Sequence, residues 1–186
     1  QIADLADKYS DGEIRLTVEQ NALLPNVDPS KLEALKAEPA FDAAAGSRLA
    51  VDPGNVIGHT VSCTGSQFCG LALIETKASA ERVATKLDKL IALERPLRIH
   101  WTGCPNSCAQ VQVADIGLMG GPAKKLDPET GKMMAVPGVS IFLGGTVGEG
   151  AHLSLEPYKT GVPMEDETLI PELVAIAKEH FGAVDK

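Results

Sequence analysis

Four cysteines in two pairs constrain this chain more than any other feature. The first pair bounds Cys63-Thr64-Gly65-Ser66-Gln67-Phe68-Cys69 and the second bounds Cys104-Pro105-Asn106-Ser107-Cys108. No thiol lies outside them. Thiolates are soft ligands, and four of them suit zinc or an iron–sulfur cluster. Zinc knuckles favour two to four residues between ligands, often two. Here the gaps are five and three, with thirty-four residues between the pairs. That spacing is poor for zinc and acceptable for a cluster. Two disulfides, or four inert buried thiols, are the plain alternatives.

A chain of 186 residues can hold one full core and a smaller appendage. Hydrophobic residues make up 44% and charged residues 23%, the balance of a soluble globular protein. Cysteine is too sparse for a secreted disulfide scaffold, which points to a reducing compartment. No apolar run approaches the ~20 residues that cross a bilayer, so no membrane span is expected. Residues 1–7 are acidic and helical in pattern, unlike a signal or transit peptide. The absence of an initiator Met points to a start within a longer protein. A net charge of −8 argues against nucleic acid as a partner and offers no evident basic docking face.

Ile2, Leu5, Ala6 and Tyr9 fall at helical spacing, stopped by Asp11-Gly12. Glu13 to Val18 alternates like a half-buried strand, and Ala22 to Leu24 continues it or pairs beside it. Asp28 as N-cap and Pro29 at the first position open a second helix, which ends at Glu38-Pro39. Residues 40–56 read as a connector. Thr60 to Ser62 is a short strand before the first cysteine pair. A helix carrying Val83, Leu87, Leu90 and Ile91 is expected from Ser79 to about Pro96. Leu97 to Trp101 is a strand delivering the second pair. A strand is expected within Gln110 to Met119, a polar hairpin or loop from Gly120 to Pro137, and a strand over Val139–Gly145. Residues 146–167 read as irregular. Thr168 is the expected cap of a last helix packing through Leu169, Leu173, Ile176, Ala177 and His180.

Both pairs follow short strands, an arrangement in which strand ends fix the ligands and loops wrap the metal group. Gly65 and Gly103 allow close backbone approach. Asn106 and Ser107 can donate hydrogen bonds to cluster sulfurs, which raises a reduction potential. Burial by neighbours such as Phe68 and Trp101 lowers it. The same two residues also suit a helix cap after a strand. His100, an alternating strand residue, reads as packed or supporting rather than ligating. His59, His152 and His180 form no metal spacing.

At these residues the chain resembles the sirohaem and [4Fe-4S] nitrite and sulfite reductases, and most of all their ferredoxin-dependent nitrite-reducing members from plastids and cyanobacteria. The likeness rests on Cys63 to Cys69 and on Thr102-Gly103-Cys104-Pro105-Asn106-Ser107-Cys108. It extends to Arg15–Asn21, Arg98–Trp101 and Val113–Gly117, and it runs from the first residue to Val184. It implies an α+β fold. A mixed β-sheet with flanking helices would form the [4Fe-4S]/sirohaem domain over residues 51–186. Half of a ferredoxin-like α+β unit and a connector would precede it over residues 1–50.

The resemblance further implies that Cys63, Cys69, Cys104 and Cys108 hold a [4Fe-4S] cluster. Cys108 would be shared with the sirohaem iron as its axial ligand. Asn106, Arg15, Gln20 and Asn21 would face the cofactors. The implied activity is six-electron reduction of nitrite to ammonia with ferredoxin as donor, in a plastid stroma or a cyanobacterial cytoplasm. A sulfite-reducing relative, or an electron-transfer module without catalysis, is the alternative. Ala109 departs from the family's usual Gly after the bridging cysteine. The family's enzymes are also about three times this long. Their substrate-binding basic residues lie in an N-terminal half that this chain does not match. With 17 basic residues against 25 acidic ones, the chain is poorly suited to clamp an anion by itself.

Overall fold

The computed structural model describes residues 1–186, the side chain of Ala45 excepted. The chain forms two compact units, Gln1–Pro53 and Gly54–Lys186.

The first unit begins with helix α1 (Ile2–Tyr9), which buries Leu5, Ala6 and Tyr9 at the expected spacing. Strands β1 (Arg15–Leu16) and β2 (Ala22–Leu23) pair antiparallel, Arg15 opposite Leu23. Asp28 caps the next turn as expected, accepting from Ser30 N–H at 2.9 Å, with Pro29 first in a 3-10 turn. That turn runs into the short helix α2 (Leu32–Lys36). Leu5, Tyr9 and Leu35 form a small core joined by Leu24, Val27, Ala40 and Phe41. The expected half-burial of the first strand fails here. Leu16 is 84% and Val18 94% exposed. Two short strands have only the faces that their own unit covers, and in this unit nothing covers this one.

In the second unit β3 (Thr60–Ser62) leads to the first cysteine loop, and helix α3 (Lys77–Leu90) follows it. The helix stops at Leu90, earlier than its periodicity predicts. Ile91 turns extended and β4 (Ile91–Ala92) begins. Then come β5 (Ile99–Thr102), β6 (Ile116–Leu126), β7 (Met133–Leu143), β8 (Lys159–Pro163), helix α4 (Asp166–Phe181) and β9 (Val184–Asp185). The five-stranded sheet has the order β3-β5-β6-β7-β8. Its first three strands are parallel and the rest antiparallel. The fold is therefore α+β with a mixed sheet.

Helices α3 and α4 share one core with the sheet. It contains Val83 and Leu87 of α3, Leu169 and Leu173 of α4, and Trp101 and Ile116 beneath them. Antiparallel pairing of β4 with β9 ties the C-terminal end to the exit of α3. The segment expected to contain a strand from Gln110 begins instead as a 3-10 turn at Val111–Val113. Of the hairpin or loop expected from Gly120 to Pro137, the structure forms the hairpin, paired strand on both sides of a short turn with Pro122 opposite Pro137. Beyond Met119, β6 has no β5 partner, so a proline there costs no ladder hydrogen bond on that side. Helix α4 starts at Asp166 after Glu165, so Thr168 is inside it rather than its cap. His180 is exposed, its ring edge-on to Tyr158 at 5.6 Å between centroids. Among the described residues no helix is long and apolar enough to cross a membrane.

Candidate metal centre

Strands β3 and β5 are neighbours and parallel, with Ser62 opposite Trp101. Both cysteine loops therefore leave the same edge of the sheet, the carboxyl ends of the strands, where open α/β sheets form their clefts. Pairing continues into the loops: Cys63 N–H donates to the Trp101 carbonyl at 3.0 Å. The second loop answers, with Gly103 N–H donating to Cys63 Sγ at 3.2 Å. The first loop then crosses back, Leu73 N–H donating to the Gly103 carbonyl at 2.7 Å.

Gly103 is required by this crossing, since a Cβ there would lie 2.6 Å from Ala72 Cβ. Gly120 is required by the same loop, because its Cβ would meet the Gly103 carbonyl oxygen at 2.6 Å. Cys69 follows a turn in which its N–H donates to the Gly65 carbonyl at 2.9 Å. Cys104 opens a turn in which Ser107 N–H donates to the Cys104 carbonyl at 3.2 Å, and Gln110 N–H, donating to the Ser107 carbonyl at 2.8 Å, continues it past Cys108.

All four cysteines are free, which removes the disulfide alternative. Cys104 is buried, Cys63 and Cys69 are half-buried, and Cys108 is exposed. Burial pushes the Cys63 thiol up. Hydrogen bonds from Gly103, Gly65, Thr76 and Thr102 outweigh it and hold the thiol below its ordinary value. Donors that favour a thiolate also favour metal binding at that sulfur. A single zinc ion would draw four sulfurs to about 2.3 Å from one point. Among the described residues no three His, Cys, Asp or Glu side chains are grouped to hold one ion. Four free thiols on two interlaced loops at one sheet edge fit a cluster, which sets its own iron and sulfide between the ligands.

His100 points its Nδ1 at the Ala109 and Gln110 carbonyls, 2.8 and 3.2 Å away, and so supports the chain just after Cys108. Ser107 and Gln110 on either side adopt left-handed backbone, φ 52° and 53°, a conformation uncommon outside glycine. The Ser107 hydroxyl donates to Gln112 Oε1 at 2.7 Å, so it is not turned to a sulfur. Asn106 is exposed beside it. Trp101 is fully buried, but Phe68 is 77% exposed and does not shield the first loop.

Arg15, Gln20 and Asn21 sit on the hairpin of the first unit. Arg15 Nε reaches Glu13 Oε1 at 2.6 Å, and Thr17 N–H donates to the Asn21 carbonyl at 2.9 Å. Two buried threonines lie beside the cysteines, Thr102 within the second motif and Thr76, to which no sequence motif points. A threonine ahead of a helix reads as a cap, and nothing in its neighbourhood in the chain links it to a cysteine thirteen residues away.

Comparison with known proteins agrees with this geometry. The nitrite/sulfite reductase ferredoxin-like half domain matches residues 1–41, and the nitrite and sulphite reductase 4Fe-4S domain matches residues 54–181. The chain is 49% identical over 186 residues to a chloroplastic ferredoxin–nitrite reductase of Betula pendula, covering 100% of this chain and 30% of that one. It is 50% identical over 184 residues to a ferredoxin–nitrite reductase of Synechococcus elongatus, covering 98% of this chain and 33% of that one. Among solved structures, the NirA protein of Mycobacterium tuberculosis superposes with a TM-score of 0.73 at 26% identity, covering 92% of this chain and 30% of that one. The chain thus spans about a third or less of the length of these relatives. Two cysteine loops laced together at one sheet edge, inside a domain match that covers most of the residues, make this chain a member of the nitrite and sulphite reductase family.

Proposed function

We propose that this chain is the cluster-bearing part of an assimilatory ferredoxin–nitrite reductase. In this reading Cys63, Cys69, Cys104 and Cys108 would hold a [4Fe-4S] cluster, and Cys108 would also help to hold a sirohaem. When bound, these groups would supply the one-electron redox chemistry for reducing nitrite with ferredoxin as donor. The observation that carries the reading is the hydrogen-bonded interlacing of the two loops, with Gly103 N–H on Cys63 Sγ.

The chain's own part is to bind and orient. Cys104 anchors the buried side of the site and the exposed Cys108 leaves its sulfur accessible from outside. Gly103 N–H supports negative charge on the Cys63 sulfur. Arg15, Gln20, Asn21 and Asn106 are the residues proposed to meet the sirohaem. The basic residues that would bind nitrite belong to the rest of the protein, as does the segment that would complete the ferredoxin-like domain with residues 1–50. Two of the relatives named above, those of Betula pendula and Synechococcus elongatus, are chloroplastic and cyanobacterial, which supports a plastid stroma or a cyanobacterial cytoplasm as the setting.

Iron and acid-labile sulfide analysis after anaerobic reconstitution tests the reading. Equal iron and sulfide, four of each per chain, is the expected result. One equivalent of zinc without sulfide would overturn it. A sulfite-reducing relative would show itself by turnover of sulfite in preference to nitrite when reduced methyl viologen drives the full-length protein.

A further inference from the structure

Thr76 stands at the N-cap of α3, where a threonine hydroxyl ordinarily accepts from the first helix N–H groups. Here it makes no such cap. The Glu75 carboxylate takes that task, accepting from Ala78 N–H at 3.1 Å and from Ser79 N–H at 3.0 Å. The Thr76 hydroxyl turns to the cysteine loop instead. It is fully buried, donates to the Cys63 carbonyl at 2.7 Å, and lies 3.8 Å from Cys63 Sγ. The loop is shaped to admit it: a Cβ at Gly65 would sit 2.5 Å from Thr76 Oγ1, and Gly65 has φ +74°. The fully buried Thr76 hydroxyl would cost free energy if left unpaired, so this bond pins the half-buried Cys63 turn.

We propose that Thr76 is a positioning residue for the metal-bearing sulfur of Cys63: its hydroxyl latches the Cys63 turn so that Gly103 N–H stays aimed at Sγ. This rests on the cluster reading of the four cysteines and deepens it. A hydrogen bond to a ligating sulfur stabilises the reduced, more negative state and so raises the reduction potential. Removing the latch lets the Cys63 turn drift from Gly103, and the potential falls. Because Glu75 carries the helix cap, loss of the Thr76 hydroxyl leaves α3 intact.

The test compares Thr76→Val, which keeps the shape and removes the hydroxyl, with Thr76→Ser, which keeps the hydroxyl. In the cluster-free chain, amide exchange at Gly103 should quicken about tenfold in Thr76→Val and stay near the parent rate in Thr76→Ser. After reconstitution, the cluster's midpoint potential should become more negative in Thr76→Val and return towards the parent value in Thr76→Ser. Circular dichroism should report unchanged helix in both. Unchanged Gly103 exchange in Thr76→Val would overturn the proposal, as would lost helix with Gly103 still protected. If Thr76→Val does not fold, Thr76→Ala removes the same hydroxyl without bulk and is read in the same way. Failure of the cluster reading itself would appear separately, as no sulfide uptake by the parent chain, while Gly103 exchange still decides the latch.

Discussion

Asp115 accepts from Arg98 N–H at 2.9 Å, from Arg98 Nε at 3.3 Å and from Arg95 Nη1 at 3.3 Å. It is 5% exposed. Arg98 Nη2 goes on to the Gly145 carbonyl at 3.3 Å, and Gly144 N–H donates to the Asp115 carbonyl at 3.0 Å. One carboxylate thus ties the starts of β5 and β6 to the turn after β7. Arg98 opens one of the segments, Arg98–Trp101, that carry the family resemblance. The structure commits its guanidinium to Asp115, at the end of β5 away from Cys104. Asp115→Ala should strand a largely buried guanidinium and lower stability by about 2–3 kcal/mol. Asp115→Asn, which keeps an acceptor, should lose less. Urea unfolding checks both, and an unchanged midpoint in Asp115→Ala would show that the node carries no net stability.

At the scale of elements, α3 joins the two cysteine loops to the core, and its first turn depends on Glu75. Burial would raise the Glu75 carboxyl. The N–H groups of Ala78 and Ser79, the Ser79 hydroxyl and Lys77 N–H outweigh it and hold the carboxyl below its ordinary value. With the folded value depressed, ionisation favours the folded state. The contribution is complete above the unfolded Glu value of about 4.3 and is lost as pH falls through the folded one. Glu75→Ala should therefore cost about 1 kcal/mol at neutral pH, the ordinary worth of a helix cap. The gap to the parent should close below about pH 4. Unfolding followed by circular dichroism at neutral and acid pH measures it. A gap that persists at acid pH would mean that Glu75 acts through packing rather than charge.

For the whole molecule, the first unit leaves Leu16, Val18 and Leu23 of its hairpin exposed, and two short strands alone are marginal in water. Amides of Arg15–Leu23 should exchange faster than those of β5 and β6. On the proposed reading, protection should appear when the segment that would complete the ferredoxin-like domain is supplied in trans. On the proposed reading, the 186-residue chain alone should turn over little or no nitrite even with a cluster loaded, because binding and protonating an anion calls for a group of cations and the chain carries 17 basic residues against 25 acidic ones. Full turnover by the chain alone would assign that work to Arg15 or to a lysine here.

What the sequence determined by itself is local. The cysteine spacing, the strands before each pair, the Asp28–Pro29 cap and the α1 stripe are all written in neighbouring residues and are found in the structure. The tertiary structure decided what depends on distant partners. Ile91 and Ala92 leave the helix because Val184 and Asp185 offer a strand. Lys159–Pro163, too polar and too rich in Gly and Pro to read as strand, becomes β8 because β7 presents an open edge. The run through Gly120, Gly121 and Pro122 stays extended because β7 pairs with it residue for residue. Thr76 turns from its own helix to Cys63 because parallel pairing of β3 with β5 brings Gly103 beside that sulfur. Backbone hydrogen bonds between segments far apart in the chain override local preference, and a single sequence carries no direct sign of which segments will meet.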